Sequence, residues 1–344
     1  MTTNKKNQKR KKFIFYKNFI DSILTLIVFV IIFIIISNPE KFTSGTVSGL
    51  KLFFFNVLPG LFPFMLLTKL LTEIGLIFKT CQKFDKLSYK LFGTPGVSIY
   101  AFLMSILSGY PIGAKIISDL YLKGQISEIE AKKMSIFCTT SGPIFIIGTI
   151  GVTMFKNYKF GLILYASHII SSVLMGIIYH ILTKKKHKNL NKIVIIQKPL
   201  QTFSNSNILS KCINETINSL FIVGAYITIF YLLGEILTML KIFNLLNVII
   251  SKPFNLFGFN SIESSGFTYG ILEVTRGAKV LSISPTPSSL ILATGIVSFS
   301  GLSIIMQSMS FLKEAKIKAH NFIFSKCVHC VFSMIICALF FVII

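Results

Sequence analysis

Apolar residues gather along this chain into long runs separated by short polar or basic intervals, instead of alternating with polar residues at a period of two or 3.6. The runs fall at residues 19–36, 50–71, 97–120, 136–155, 160–182, 213–237, 267–282, 288–311 and 319–344. Most reach or approach the roughly 20 apolar residues that a helix needs to cross about 30 Å of hydrocarbon. A further run, 242–257, is shorter and is expected to lie along the interface. The first run follows a basic stretch and lacks a small-residue cleavage site, so it reads as an uncleaved signal anchor. The pattern predicts an all-α polytopic membrane protein: a basic tail at 1–17, a signal-anchor helix at 18–36, and two helical units at 45–183 and 207–344 joined by a basic linker at 184–206.

The two units share short matches in the same order. Leu91-Phe92-Gly93 recurs as Leu256-Phe257-Gly258, Gly113-Ala114-Lys115 as Gly277-Ala278-Lys279, Glu73 as Glu235, Ser141-Gly142 as Ser300-Gly301, and His168 as His329. Each match alone is weak. Their common order at a nearly constant offset predicts an internal repeat.

Charge then gives the repeats a direction. The net charge is +23, from 35 basic residues of which only Arg10 and Arg276 are arginine. Basic residues cluster at Lys5–Lys17 and Lys184–Lys198, beside membrane runs, where they hold those ends in the cytosol and near anionic lipid. This placement, with 53% hydrophobic and only 14% charged residues, excludes a nucleic-acid partner, a secreted enzyme and a disordered scaffold. With the amino terminus inside, the three runs between the basic loop at Lys79–Lys90 and the basic linker must supply an even number of crossings. One of 97–120 and 136–155 is therefore expected to be re-entrant or broken. The second half repeats the problem, with 267–282 and 288–311 supplying one crossing. Paired broken segments of this kind predict inverted-topology repeats whose breaks meet near the midplane and form a solute site.

The breaks supply the candidate residues. Ser108-Gly109-Tyr110-Pro111 and Gly113 interrupt one apolar run, and Thr139-Thr140-Ser141-Gly142-Pro143 interrupts the next. Proline removes an amide donor, and freed backbone groups at membrane depth are tolerated only against protein or a water-lined cavity. Each break serves either a solute site or a packing kink. Ser300-Gly301 stands at the matching place in the second half. Glu273 and Arg276, three apart in an apolar segment, form either a gate or coupling pair or a structural ion pair. Lys115 and Glu235 are weaker candidates, Glu73 is expected to pair with Lys69, and His168 reads as a packing histidine. Cys327-Val328-His329-Cys330 has metal-ligand residue types but no partner pair, so neither a metal nor a cofactor is expected. No His-Glu-x-x-His, Gly-x-Ser-x-Gly or phosphate-binding glycine loop is present, and the chain is not expected to be an enzyme.

Ser108–Lys115 (SGYPIGAK), Phe137–Ile146 (FCTTSGPIFI) and Leu272–Lys279 (LEVTRGAK) together resemble the YlbJ family of sporulation integral membrane proteins, from roughly Leu50 to the carboxyl terminus. That family is grouped with proteins carrying the nucleoside-recognition, or gate, domain. Where its pattern has an amide pair before Ser-Gly-Pro, this chain has Thr139 and Thr140. The resemblance implies a role in endospore development and spore cortex formation, with other sporulation membrane proteins as partners. It implies a transporter-like protein for a small polar solute or ion, with a non-transporting assembly factor for cortex-building machinery as the alternative.

Overall fold

The computed structural model describes residues 22, 23, 25–74, 81–183 and 207–343. The basic tail and the basic linker expected to meet anionic lipid lie outside these, as does the start of the signal anchor. Helix α1 (Thr25–Ser37) carries exposed Phe29, Phe33 and Ile36, and the chain turns by 102° at Asn38 into the next helix. Residues 39–49, between the first two apolar runs, are helical. Pro39 starts α2 (Pro39–Lys51) at the first helical position, where its missing amide costs nothing. Phe42, Gly45 and Gly49 then form a buried stripe. A Cβ at Gly49 would come within 3.0 Å of the Thr228 backbone, so the small-residue spacing lets α2 lie directly on α9 (Asn207–Met239). Wide π-type turns at Leu52–Val57 lead into α3 (Leu58–Ile74).

Two series of elements of the same order follow. The first has α4 (Asp85–Leu91), α5 (Val97–Ser108), α6 (Ile112–Leu122), α7 (Glu128–Phe137), a π-type helix (Ile144–Met154) and α8 (Tyr158–Thr183). The second has α10 (Ile242–Leu256), α11 (Ser261–Leu272), α12 (Val274–Leu281), α13 (Pro287–Phe299), α14 (Gly301–Leu312) and α15 (Ala319–Ile343). Capping boxes fix the corresponding starts of α7 by Ser127 and Glu130 and of α13 by Thr286 and Ser289, while Asn260 and Glu263 box α11.

In each series the first pair folds back as a hairpin. Gly277 of α12 lies so close to Gly270 of α11 that a Cβ would sit 2.4 Å from the Gly270 Cα, and a Cβ at Gly266 would meet the Leu281 amide at 3.1 Å. Residues seven apart in a straight helix are separated by about 10 Å, so the chain has reversed at Glu273. Likewise, α6 turns back after Pro111 until Gly113 lies against the Ser105 hydroxyl of α5. The next pair forms a broken span: α13 and α14 run as one 26-residue apolar helix from Pro287 to Leu312 through a left-handed Ser300. This settles which of the two candidate runs in each half folds back: 97–120 and 267–282 are the hairpins.

Among the described residues, four helices are long and apolar enough to cross a membrane, and a fifth arises if α1 and the helix after its bend count as one span. Exposed Leu, Ile and Phe side chains cover their outer faces, the surface that lipid solvates. Helix α10, with Leu245, Val248, Ile249 and Leu256 exposed and Phe243 alone buried, is a short apolar helix at the periphery.

Two buried clusters hold the molecule together, and the halves interlock through them. One contains Ile112, Ile117, Leu120, Met134 and Phe137 of the first series but also Ile305, Phe311 and Leu312 of α14. The other contains Val274, Leu290, Ala293 and Ile296 of the second series but also Ile146 and Ile150 of the π-type helix. Each broken span thus begins in the core of its own half and ends in that of the other. Its break falls where the cores meet.

Candidate functional site

The hairpin tips and the span breaks touch. A Cβ on Gly109, at φ +82°, would sit 2.6 Å from the Gly142 amide. The equivalent contact in the second half brings Gly301, at φ +63°, within 3.1 Å of the Gly270 carbonyl and 3.2 Å of the Leu272 carbonyl by the same measure. Glycine at 109 meets two demands at once, a positive φ and a backbone approach closer than a side chain permits, while at 301 the positive φ is joined by a tight but less extreme approach.

A cavity of about 260 Å³ opens beside these contacts. Ser108, Gly109, Tyr110, Ser141 and Gly142 line it from the first half and Glu273, Thr275, Ser303 and Gln307 from the second. Gly60, Phe64 and Tyr231 belong to the helices that pack against them. The Ser108 hydroxyl is buried without a hydrogen-bond partner, whereas the Gln307 amide donates to the Ser303 hydroxyl at 3.3 Å. The lining is largely apolar, with Leu61, Phe64, Phe145, Val223 and Ile227 among it, and carries several hydroxyls, one carboxylate and one side-chain amide, the usual make-up of a pocket for a small molecule with polar groups.

Other candidates are engaged elsewhere. The Thr139 hydroxyl donates to the Ser135 carbonyl (2.8 Å), and the Thr140 hydroxyl bonds that of Ser105 (3.0 Å), which also accepts from the Thr140 amide (2.9 Å). Both threonines stitch the break to its neighbours. Gly113 is a packing position, where a Cβ would fall 1.7 Å from the Cys138 carbonyl oxygen. Pro111 and Pro143 stand immediately before the α6 and π-type helices, and Ser300 is buried with its hydroxyl toward the Ser298 carbonyl. Lys115 pairs with Asp119 at 3.1 Å, and Glu73 lies 3.6 Å from Lys69 in a cluster with Asp119 and Glu215.

Glu273 and Arg276 are on the same short helix, but no ion pair joins them among the described side chains. Glu273 caps α12, its carboxylate accepting from the amides of Thr275 (2.9 Å) and Arg276 (2.7 Å). The Arg276 guanidinium points away, donating to the Thr238 hydroxyl at 3.1 Å and lying 4.9 Å from the Tyr269 ring centre. Glu273 faces the cavity; Arg276 fastens the hairpin to α9.

A buried polar core also joins the halves. The His168 Nε2 accepts from the Ser141 amide at 3.0 Å, and Nδ1 bonds the Ser298 hydroxyl at 2.8 Å. Because Nε2 accepts, the neutral ring carries its proton on Nδ1. His329 stacks on His168, and its Nε2 donates to the His168 carbonyl at 3.1 Å. Each histidine stands ten residues beyond the first residue of its long helix, about 15 Å along the axis and so near mid-membrane depth. Lys326 of α15 is buried beside them and bonds the Tyr110 hydroxyl and the Thr139 carbonyl.

Sequence reasoning passed over Lys326, Thr275 and Gln307. Lys326 had a legible signal, a lysine seven residues inside an apolar run. Gln307 is a single amide in another such run. Thr275 had none, since only the hairpin turn at Glu273 aims it at the cavity.

No protein-family model matches this chain, and no solved structure matches it. Over 319 residues it is 26% identical to the sporulation integral membrane protein YlbJ of Bacillus subtilis (strain 168), an alignment covering 88% of this chain and 78% of that relative. The likeness supports a YlbJ-type protein and, at the coarse level, a membrane protein of sporulation.

Proposed function

We propose that this YlbJ-type chain binds a small polar solute or ion in the 260 Å³ cavity and moves it across a membrane of the sporulating cell, in support of spore cortex formation and maturation. The observation that carries the reading is the lining itself: polar groups from both halves converge where two hairpin tips meet two broken spans. Ser108, Ser141, Ser303 and Gln307 offer exchangeable hydrogen bonds. Glu273 offers a negative charge held in place by two backbone amides. Rocking one half against the other would expose the cavity on alternate sides, with the amino terminus cytosolic and the repeats inverted as the charge pattern implies. The role is binding and passage, with no chemistry on the solute.

The test fills the cavity. Ser303→Phe, produced at membrane abundance matched to wild type in a deletion strain, is expected to lower the yield of heat-resistant spores at least tenfold. Wild-type yield from the filled cavity would sink the transport reading. Loss on truncating residues 1–12 instead would favour an assembly factor acting through its basic arm.

A further inference from the structure

Lys326 is 1% exposed, and among the described residues no carboxylate lies within ion-pair distance of it. Its ammonium instead has a set of neutral partners. The Thr139 carbonyl accepts at 2.6 Å, the Tyr110 hydroxyl lies at 3.0 Å, and the Phe322 ring centre at 5.4 Å. The His168 imidazole is neutral because its Nε2 accepts, and the His329 imidazole can carry only a charge of the same sign as the lysine, so neither supplies a counter-charge.

The sequence explains why this carbonyl is available. In a continuing helix the Thr139 oxygen would accept from the amide of residue 143, four positions on. Residue 143 is proline and has no amide hydrogen. An unpaired carbonyl at this depth is costly, and an oxygen stripped of its donor beside a hydroxyl and an aromatic ring is a cation ligand set. The geometry also has a direction. Tyr110 belongs to the hairpin tip and Thr139 to the span break, so one ammonium joins these two segments of the first half to α15 of the second.

We propose that the Thr139 carbonyl, the Tyr110 hydroxyl and the Phe322 ring form a monovalent-cation site that this chain fills with its own tethered ammonium, and that a free primary alkylammonium ion occupies the same site once the lysine is shortened. The inference holds whatever solute the cavity takes.

The test uses the full chain purified in detergent, with thermal unfolding followed by circular dichroism. Lys326→Ala removes the three methylenes and the ammonium that propylammonium would restore. Its unfolding midpoint is expected about 5 °C or more below wild type, a large shift for one side chain. It should rise saturably with propylammonium chloride but not with choline chloride at equal ionic strength. Wild type and Lys326→Met, whose side chain fills the space without charge, should not respond to propylammonium. An alanine variant that ignores propylammonium, an equal response from wild type, or a methionine variant as stable as wild type would each overturn the site. If Lys326→Ala fails to accumulate, propylammonium in the growth medium should restore its membrane abundance; failure to do so counts equally against the proposal.

Discussion

The imidazoles of His168 and His329 stack with ring centres 4.8 Å apart and planes 28° from parallel, each at the corresponding position of its half. The two nonetheless differ in their bonds. His168 takes the Ser141 amide on one nitrogen and the Ser298 hydroxyl on the other, so it ties both span breaks together. His329 uses only Nε2, and its Nδ1 is buried without a partner.

From this asymmetry follows a tautomer prediction. Nitrogen-15 spectra of labelled protein should place the His168 proton on Nδ1 and the His329 proton on Nε2. His168→Ala should cost about 2–4 kcal/mol of stability, from two lost buried hydrogen bonds and a cavity, and more than His329→Ala. Equal losses on unfolding would refute the difference.

Glu273 and Arg276 should behave as independent residues. Glu273→Ala removes a helix cap and is expected to cost about 1–2 kcal/mol. Arg276→Ala removes the Thr238 bond and the contact with Tyr269, at a cost of about 1–2 kcal/mol. In a double-mutant cycle the coupling should stay within about 0.5 kcal/mol. A coupling above about 2 kcal/mol would restore the direct ion pair.

Two glycines near the cavity should respond in opposite ways. Gly113→Ala drives a methyl group into the Cys138 carbonyl and should abolish accumulation in the membrane. Gly60→Ala meets nothing within 4 Å, and in α3 it should gain about 0.5–1 kcal/mol of helix stability while narrowing the cavity. Membrane abundance and unfolding midpoint check both.

Lys69 is 8% exposed and contacts Glu73, Asp119 and Glu215, carboxylates from three helices. Lys69→Met takes the central cation from the cluster but leaves Asp119 with Lys115, Glu73 with Lys123 and Glu215 with Lys211, and should cost about 2–3 kcal/mol. Lys211, 55% exposed at the edge of the same cluster, should lose at most about 1 kcal/mol as alanine. A similar small effect at both positions would show the cluster to be solvated.

The sequence announces its breaks through local chemistry. Gly109, Pro111 and Pro143 each alter what the backbone itself can do, and that is written residue by residue. Between the first two apolar runs, Gly45 and Gly49 lie in a helix that the apolar runs alone do not mark. Their helical role depends on α9, about 180 residues away, offering a backbone surface to pack on. For the same reason Gly113, adjacent to the break, looked like part of a solute site and is a packing contact.

By itself the sequence determined that this protein lives in a bilayer as α-helices, where the chain must break, and that its halves share an order of elements. These follow from apolar run length and from backbone donors removed at fixed positions, properties that need no partner. The tertiary structure decided which run folds back as a hairpin and which continues as a broken span. It also decided that Thr139 and Thr140 bond inward while Thr275 and Gln307 face the cavity, and that Lys326 supplies the donor Pro143 withholds. Those outcomes depend on which surfaces meet across some 190 residues of chain. A side chain's role at membrane depth is set by the nearest available polar group, which the sequence does not locate.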